Sequence, residues 1–592
     1  MLELYLNGER VYPDSQLKIK LTKENPYFSQ SDTYTFDVSL PTDILPNRKV
    51  MLNIQRMDRS KRIEKMAARL LVDNKVLLDG SAIVTQVNEN AVKVQLIQGY
   101  PSLKLLMKDN DDFIDQIEMG SGIDPNANRH ISLSATFKAQ GVKGQHVYLP
   151  IYNETTEKIM NKYHFDQDTN DVVYSNMVGQ DLAAVQPNLF YILKMVFAHF
   201  GFTLDLGSYN QEPWNSIYIA NCKATRKLSK ALPHWRASDF FTEVSNLLCA
   251  KYVVSEAEKK VTLTPLKGYF AGNSIPINPI SEYETEIEEE SESTDILSSN
   301  IKYSVSSSIF HEWDIVSQEV VRACQPISYS DFTELSVEES LKSHKNNILV
   351  CPTGYYAYWE RKNEMTTPAC RRNKGAKLMN INQFGDLTRN EDSESIELKI
   401  CPVAMTDRQH LNDKNTSYYI YTHMPSMSEY EYEATSVDDM TAQERIESAY
   451  SIDTQKEESS SDLMEIFFFD NTFMLTEYHN TGISHEFELR LPMAFTDADM
   501  LLPTSVSGKH KKWSMALGHC SQTYYIGQLH QVSSLFDTKA KYAFKFLSDN
   551  MPDPTMTYII KGKLYGCEKI EANINADGFD RLMTGYFYEM LS

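Results

Sequence analysis

The stretch SDTYTFDVSLP at residues 31–41 predicts a strand with one buried face. Apolar and polar side chains alternate along it, with the period of two that a half-buried strand shows. Pro26 and Pro41 lie on either side, and each fixes its own backbone φ angle. We therefore expect a rigid strand that builds the wall of a sheet and extends or closes against neighbouring subunits. Its candidate assembly residues are Tyr34, Phe36, Val38 and Leu40.

Regular elements are also predicted on both sides of this stretch. LELYLNGERVY at residues 2–12 predicts a hairpin with Asn7 and Gly8 at its tip, since this dipeptide suits the positive φ angles of a tight turn. QLKIKLT at residues 16–22 predicts a second strand. Apolar residues recur at helical spacing between residues 60 and 72, with Ser60 placed as the N-cap, so we expect a helix there.

The next segments alternate between strands and helices. Residues 75–99 predict short strands that are broken at Asp79-Gly80 and again at residues 88–90. Helices are expected after Asn188 and after Ser238, each followed by strands, and the C-terminal third is mostly strand-like. The predicted fold class is therefore β-rich α+β, with several β-barrel or sheet domains and short packed helices.

The length of 592 residues indicates several domains. We expect a β-rich N-terminal domain at residues 1–180, which contains the helix at about 60–72, and a helix-plus-strand domain at 181–280. An acidic linker or loop follows at 281–300. The β-rich C-terminal region then covers 301–592, with a polar insertion at about 436–463.

The acidic segment is the strongest charge feature of the chain. Residues 281–295, SEYETEIEEESESTD, contain eight carboxylates and no basic residue. A solvated linker and a negatively charged surface that faces a channel are both consistent with this run. Its candidate residues are Glu282, Glu284, Glu286, Glu288, Glu289, Glu290, Glu292 and Asp295. The whole chain has a formal charge of −22, which argues against affinity for nucleic acid but not against DNA passing through a channel.

No pattern in the sequence predicts a catalytic residue, a cofactor or a metal ligand. HEFEL at His485 lacks the second histidine of a zinc-peptidase motif, and the eight cysteines have no CxxC spacing. His519 and Cys520 are adjacent, and in a strand they would point to opposite faces. Paired carboxylates of the glycosidase kind meet only in the fold, so this alternative stays open.

Three segments carry a resemblance to a known group. KENPYFSQSDTYTFDVSLPTDILPNRKVM at residues 23–51 resembles an N-terminal pattern of tail proteins from phages and prophages of the Bacteroidetes. ASDFFTEVSNLLCAKYVV at 237–254 is similar to a segment of tail-hub proteins, and residues 563–590 resemble a C-terminal segment of the same group. The matching N-terminal positions are Asn25, Pro26, Tyr34, Phe36, Val38, Leu40, Pro41 and Asn47.

This resemblance implies a non-enzymatic virion protein at the tail tip. Such a tail hub or baseplate component closes the distal end of the tail tube and forms a channel for genome ejection, usually as a homotrimer. Its implied partners are the tail tube, distal tail, tape-measure and fibre proteins, with DNA only in passage and possible contact with the host cell surface. Two alternatives stay open: a tail-tip adhesin or distal tail protein that binds host-surface glycans, and a cell-wall or glycan hydrolase.

Overall fold

The protein is described here from a computed structural model. The structure describes residues 2–14, 18–28, 33–35, 37–58, 65–99, 112–122, 130–132, 140–142, 144–156, 158–161, 163–166, 171–174, 183–256, 258–270, 272, 274–281, 284–287, 299–304, 310–313, 325–327, 348–350, 356–359, 376–379, 384, 386–389, 395–406, 418–419, 424–430, 463–475, 478–479, 484–485, 489–496, 513–518, 520, 522–531, 536–575 and 578–591.

Strands dominate these residues. In the first half of the chain they are β1 (Leu2–Leu6), β2 (Glu9–Val11), β3 (Ile19–Glu24), β4 (Thr33–Thr35), β5 (Val38–Pro41), β6 (Met66–Val72), β7 (Lys75–Val87), β8 (Ala91–Ile97), β9 (His130–Ser132), β10 (Gln140–Val142), β11 (His146–Tyr148), β12 (Ile151–Asn153), β13 (Lys158–Met160), β14 (Tyr163–Asp166), β15 (Asp171–Tyr174), β16 (Gln186–Pro187), β17 (Thr203–Asp205), β18 (Ile217–Ile219), β19 (Ala250–Ser255), β20 (Lys260–Pro265), β21 (Ser274–Ile277) and β22 (Glu284–Ile287).

The second half continues in the same way. Its strands are β23 (Asn300–Tyr303), β24 (Phe310–Trp313), β25 (Gln325–Ile327), β26 (Ile348–Val350), β27 (Tyr356–Trp359), β28 (Ala376–Met379), β29 (Ser395–Leu398), β30 (Ile400–Pro402), β31 (Ala404–Thr406), β32 (Tyr418–Tyr419), β33 (Met424–Met427), β34 (Met464–Leu475), β35 (Tyr478–His479), β36 (Ser484–His485), β37 (Leu489–Phe495), β38 (Trp513–Ser514), β39 (Tyr524–Tyr525), β40 (Phe536–Leu547), β41 (Thr557–Ile560), β42 (Lys563–Asn575) and β43 (Gly578–Met590). The α-helices are α1 (Leu45–Val50), α2 (Leu189–His199), α3 (Ala237–Leu248) and α4 (Ile526–Leu529).

The largest sheet is built from both ends of the chain. Its main path of pairing is β2-β1-β6-β7-β8-β4-β3-β42-β43-β40-β22, with β5 beside β8 and β41 between β42 and β21. The two ends meet where β3 pairs antiparallel with β42, in a register that sets Leu21 opposite Ala572. In the described residues this path ends at β2 and β22 and does not close into a barrel.

Two hydrophobic cores lie along this sheet. The N-terminal core gathers apolar residues of β1 to β8 and takes in Ile574 from β42. The C-terminal core is formed by β40 to β43 together with Ile277 of β21. The segment that carries β21 and β22 lies along the C-terminal core, because β21 pairs with β41 and β22 pairs with β40. Tertiary pairing therefore unites segments more than 500 residues apart into one sheet.

The central region has the largest core, around α2 and α3. Asn188 caps α2 as the sequence predicts, because its side chain accepts hydrogen bonds from the backbone N–H groups of Phe190 and Tyr191. The prediction that Ser238 caps the next helix is wrong, since α3 begins at Ala237 and its N-cap is Arg236, without a side-chain cap. Strands β19 and β20 follow α3 as expected.

The predicted helix at about residues 60–72 is wrong where the structure describes it. Residues 66–72 form β6, whose buried side chains alternate with exposed or partly exposed ones. The apolar residues of this segment fit both the helical period and the strand period, so spacing alone does not decide. Pairing on both sides, with β1 and with β7, selects the strand. Residues 60–64 lie outside the described residues.

A second correction concerns Gly80. The predicted break at Asp79-Gly80 is wrong, because β7 runs through both residues as one strand of 13. Gly80 serves close packing instead of a turn: a Cβ atom built on it would lie 2.2 Å from the backbone oxygen of Ile97. The hairpin at Asn7 and Gly8 is confirmed, with φ angles of 50° and 81°.

The predicted fold class, β-rich α+β with several sheets and short helices, is confirmed. The predicted domain boundaries at residues 180, 280 and 300 stay predictions. None of the described helices combines the length and apolarity that a membrane crossing requires.

Candidate functional site: the acidic edge of the large sheet

Strand β22 brings part of the acidic segment to the end of the large sheet. It pairs antiparallel with β40, so that Glu284 lies opposite Ala543 and Glu286 opposite Lys541. The side chains of Glu284 and Glu286 are exposed. Residues 284–287 of the expected linker are therefore a strand and present carboxylates to solvent. The other candidates, Glu282, Glu288, Glu289, Glu290, Glu292 and Asp295, lie outside the described residues.

Lysines of β40 lie next to this acidic strand. The Nζ of Lys545 lies 3.9 Å from a carboxylate oxygen of Glu284, and both side chains are well exposed. Lys541 is more enclosed and lies 3.2 Å from Glu568. Exposed ion pairs contribute little to stability, about 0–1 kcal/mol each. Lys545 therefore offsets part of the negative charge of Glu284 without adding much stability.

Tyr586 of β43, one strand beyond β40, responds to the local negative charge. Burial, the Glu571 carboxylate and a hydrogen bond to it raise the pKa of Tyr586 to about 12, with smaller contributions from Glu286 and Glu284. The Tyr586 hydroxyl donates that hydrogen bond to Glu571 at 3.3 Å. Tyr586 therefore stays protonated and acts here as a hydrogen-bond donor.

The candidate assembly strand is interrupted in the structure. Its residues fall into β4 and β5, and Phe36 between them lies outside the described residues. Val38 and Leu40 are fully buried in the N-terminal core, where β5 pairs with β8. Tyr34 is partly exposed and donates a 2.8 Å hydrogen bond to Glu24. An assembly role for these residues stays a prediction, and of the described ones Tyr34 alone presents its side chain at the surface.

Asn25, one of the residues that carry the sequence resemblance, joins the two chain ends. It is fully buried, and its side-chain amide donates to the backbone oxygens of Pro554 and Cys567, both at 2.9 Å. Its side-chain oxygen accepts from the N–H of Tyr27, and its own N–H donates to Glu568. Asn25 therefore fixes the end of β3 against β42.

Asn47 plays a similar part at the β2 edge. Its side-chain oxygen accepts from the N–H of Tyr12, while its amide donates to the backbone oxygens of Tyr12 and Pro41. Both backbone polar groups of Tyr12 are thereby occupied at this end of the sheet. Such occupancy protects a sheet edge from unwanted strand addition.

The fold also brings together carboxylates that no sequence pattern predicted. Burial and the nearby Glu154 carboxylate raise the pKa of Glu465 to about 8. Glu154 accepts a 2.7 Å hydrogen bond from Ser426, and Glu429 accepts one of 2.8 Å from Asn153. These three carboxylates come from segments up to about 310 residues apart, so spacing gives no signal for them. A carboxyl group with a raised pKa beside a second carboxyl group is an arrangement that glycosidases use.

The histidine and cysteine residues considered for catalysis or metal binding do not show a comparable reactive environment among the described residues. Within the described residues, no group of three histidine, cysteine or acidic side chains is placed to hold a metal ion. Burial raises the pKa of the Cys222 and Cys401 thiols, which makes both poor nucleophiles. Cys520 is partly exposed, while His519 lies outside the described residues. His485 ends β36, and the three residues after it lie outside as well.

Among the solved structures that are similar to this chain are two tail proteins. The first is the 43 kDa tail protein of prophage MuSo2 from Shewanella oneidensis, with 7% identity, 99% of this chain and 97% of the other covered, and a TM-score of 0.31. The second is a tail protein from Neisseria meningitidis, with 6% identity, 100% and 96% coverage, and a TM-score of 0.26. At these TM-scores no residue role is transferred from either. No protein-family model and no curated protein matches the chain.

Proposed function

We propose that this chain is a structural, non-enzymatic component of a phage tail, a hub or baseplate protein at the distal end of the tail tube. One observation carries the proposal: the N-terminal and C-terminal segments that resemble tail proteins pair with each other in one sheet. Asn25 from the first segment hydrogen-bonds to Cys567 from the last. The resemblance thus falls on a single structural unit instead of two unrelated ends.

The form of this unit suits the wall of a ring. A continuous sheet with two cores is stiff, because each strand is hydrogen-bonded to its neighbours and packed on one face. Its edges are where further subunits add. We propose that several copies, three by the sequence resemblance, assemble into a ring that continues the tail tube.

The charge of the chain suits a channel for DNA. The carboxylates of Glu284 and Glu286 are exposed, and the chain as a whole has a net charge of −22. Acidic surfaces repel phosphate and so limit adhesion during genome ejection. In this proposal the tail tube, distal tail, tape-measure and fibre proteins are the neighbours, and the tail tip of the virion is the location.

The first test is the solution mass of the purified chain by light scattering, with negative-stain images of the same sample. The hub proposal predicts a ring of defined copy number with a central hole. A monomer at all concentrations, with saturable binding to host-surface glycans, contradicts the hub and supports the adhesin.

A second assay separates the hub from a hydrolase. Purified cell wall and host glycans are incubated with the wild-type chain and with Glu465→Gln and Glu154→Gln. The structural proposal predicts no turnover by any of the three proteins. Turnover by the wild type that either substitution abolishes contradicts a non-enzymatic role and assigns the chemistry to these carboxylates.

A further inference from the structure

The two ends of the large sheet have different surfaces. At one end, the segment at residues 45–58 contacts β2. We call this segment the α1 lobe. Met51 and Ile54 anchor this lobe in the N-terminal core, where both are almost completely buried. The lobe is therefore a fixed projection of the sheet.

Three large apolar side chains of the α1 lobe are exposed. Leu45 is 56% exposed, Leu52 is 69% exposed and Met57 is 93% exposed. Leu52 also has a φ angle of 49°, in the left-handed region that side chains of its kind rarely adopt. A chain that holds three large apolar side chains in solvent, one of them in an unfavourable conformation, is typical of a contact surface.

The α1 lobe is also basic in a strongly acidic protein. Arg48, Lys49 and Arg56 lie within it against one acidic residue, Asp58, which pairs with Arg56 at 2.9 Å. Asn47 hydrogen-bonds to the backbone N–H and oxygen of Tyr12 beside the lobe. A partner that binds at this end would therefore contact side chains and not these backbone groups.

The β22 edge, which we define as residues 279–281 and 284–287, has the complementary character. Ile280 is exposed, and its N–H donates to the backbone oxygen of Lys545, which places it near the end of β40. Leu547, the last residue of β40, pairs with Leu582 of β43, and both side chains are exposed. Beyond these apolar residues lie the exposed carboxylates of Glu284 and Glu286. No strand among the described residues pairs with the outer side of β22.

Two copies of the chain are not expected to pair through their β22 edges. Antiparallel pairing of β22 with its own copy would bring the glutamates of both chains together, and like charges on neighbouring strands are destabilising. The α1 lobe, with Lys49 and two arginines, offers the opposite charge, together with apolar side chains of its own.

We propose that the α1 lobe of one copy docks on the β22 edge of the next copy. The two surfaces differ, so the contact is heterologous, and repeated contacts of this kind build a ring when the rotation between copies closes. This inference rests on the proposed function only for the ring itself. The contact between the two surfaces is argued from their charge and exposed apolar side chains.

Charge reversal tests the contact. Variant A carries Glu284→Lys and Glu286→Lys, variant B carries Lys49→Glu and Arg56→Glu, and variant C carries all four substitutions. The matched controls reverse exposed charges elsewhere: Glu89→Lys with Glu258→Lys, and Lys227→Glu with Lys267→Glu. Thermal unfolding of every variant shows whether it folds. Light scattering over a concentration series at low and at physiological salt gives the midpoint of assembly.

We expect A and B each to raise the midpoint concentration at least tenfold, while both controls match the wild type. In C an acidic lobe meets a basic edge, so assembly should return. Wild-type assembly should weaken as salt is added. Assembly of A and B at wild-type concentrations overturns the inference, as does failure of C to recover, or a wild-type chain that stays monomeric.

This experiment separates the contact from the hub. Rings with a central hole that are insensitive to A and B refute the contact and leave the proposed function intact. Oligomers that depend on these charges but show no hole in negative stain support the contact and contradict the hub.

Discussion

Replacing Asn25 by alanine should loosen the join between the two ends of the chain. The side chain makes three hydrogen bonds, two as donor to Pro554 and Cys567 and one as acceptor from Tyr27. A buried hydrogen bond contributes about 0.5–1.5 kcal/mol net, and polar groups left unsatisfied cost about 1–3 kcal/mol. Because Asn25 is fully buried, the substitution should lower the free energy of opening between β3 and β42 by about 3 kcal/mol.

Hydrogen exchange with mass spectrometry measures this opening directly. A loss of about 3 kcal/mol corresponds to exchange faster by roughly a hundredfold in peptides from β3 and β42, since about 1.4 kcal/mol is a factor of ten. Peptides from α2 and α3, in the separate central core, should keep their wild-type rates. A global unfolding curve is less suited, because a chain of this size does not unfold in one step.

Asn573→Ala is the matched control, since Asn573 lies on the same strand β42 with an exposed side chain. Its effect should stay within about 0.5 kcal/mol. If Asn25→Ala changes exchange in β3 and β42 no more than this control does, the side chain does not hold the two ends together, and the reasoning fails.

Three further predictions concern the same sheet and the buried carboxylates. Asn47→Ala should cost about 2–3 kcal/mol, seen as faster exchange in β2 and α1. Gly80→Ala should cost about 1–3 kcal/mol or prevent folding, because its Cβ would collide with backbone, whereas Gly272→Ala should be tolerated; equal melting temperatures would contradict this. The raised pKa of Glu465, about 8, means that its contribution to stability is present below the ordinary glutamate pKa and lost as pH rises through about 8. Glu465→Gln should therefore flatten the decline in melting temperature between about pH 5 and about pH 8, and an unchanged decline would exclude this carboxyl as its source.

Local sequence signals were sufficient where neighbours along the chain decide the structure. The Asn7-Gly8 turn and the Asn188 cap depend on residues within a few positions, and both are confirmed. Local sequence signals also predicted the β-rich α+β class correctly. Residues 66–72 show the limit, since their spacing suits two periods and pairing with β1 and β7 decides between them. Gly80 shows it again, because only the approach of Ile97 explains a glycine inside a strand.

For the candidate surfaces, too, some features were visible in the sequence and others only in the folded structure. The acidic run at residues 281–295 was visible in the sequence, but its position beside β40 was not. Glu154, Glu429 and Glu465 gave no signal, because carboxylates from distant segments meet only after folding. Val38 and Leu40 alternate as a strand should, yet periodicity cannot tell whether the apolar face meets the core of its own chain or another subunit.

The sequence by itself determined the β-rich α+β class, the cap of α2, the buried face of α3 and the excess of negative charge. These depend on local backbone preferences and on composition, which neighbouring residues fix. Only the tertiary structure decided that the chain ends share one sheet, that Asn25 and Asn47 hold its parts together, and that the acidic and basic surfaces lie at the two ends of its pairing path. Strand pairing across more than 500 residues depends on long-range hydrogen bonds and shared cores, which no local pattern encodes.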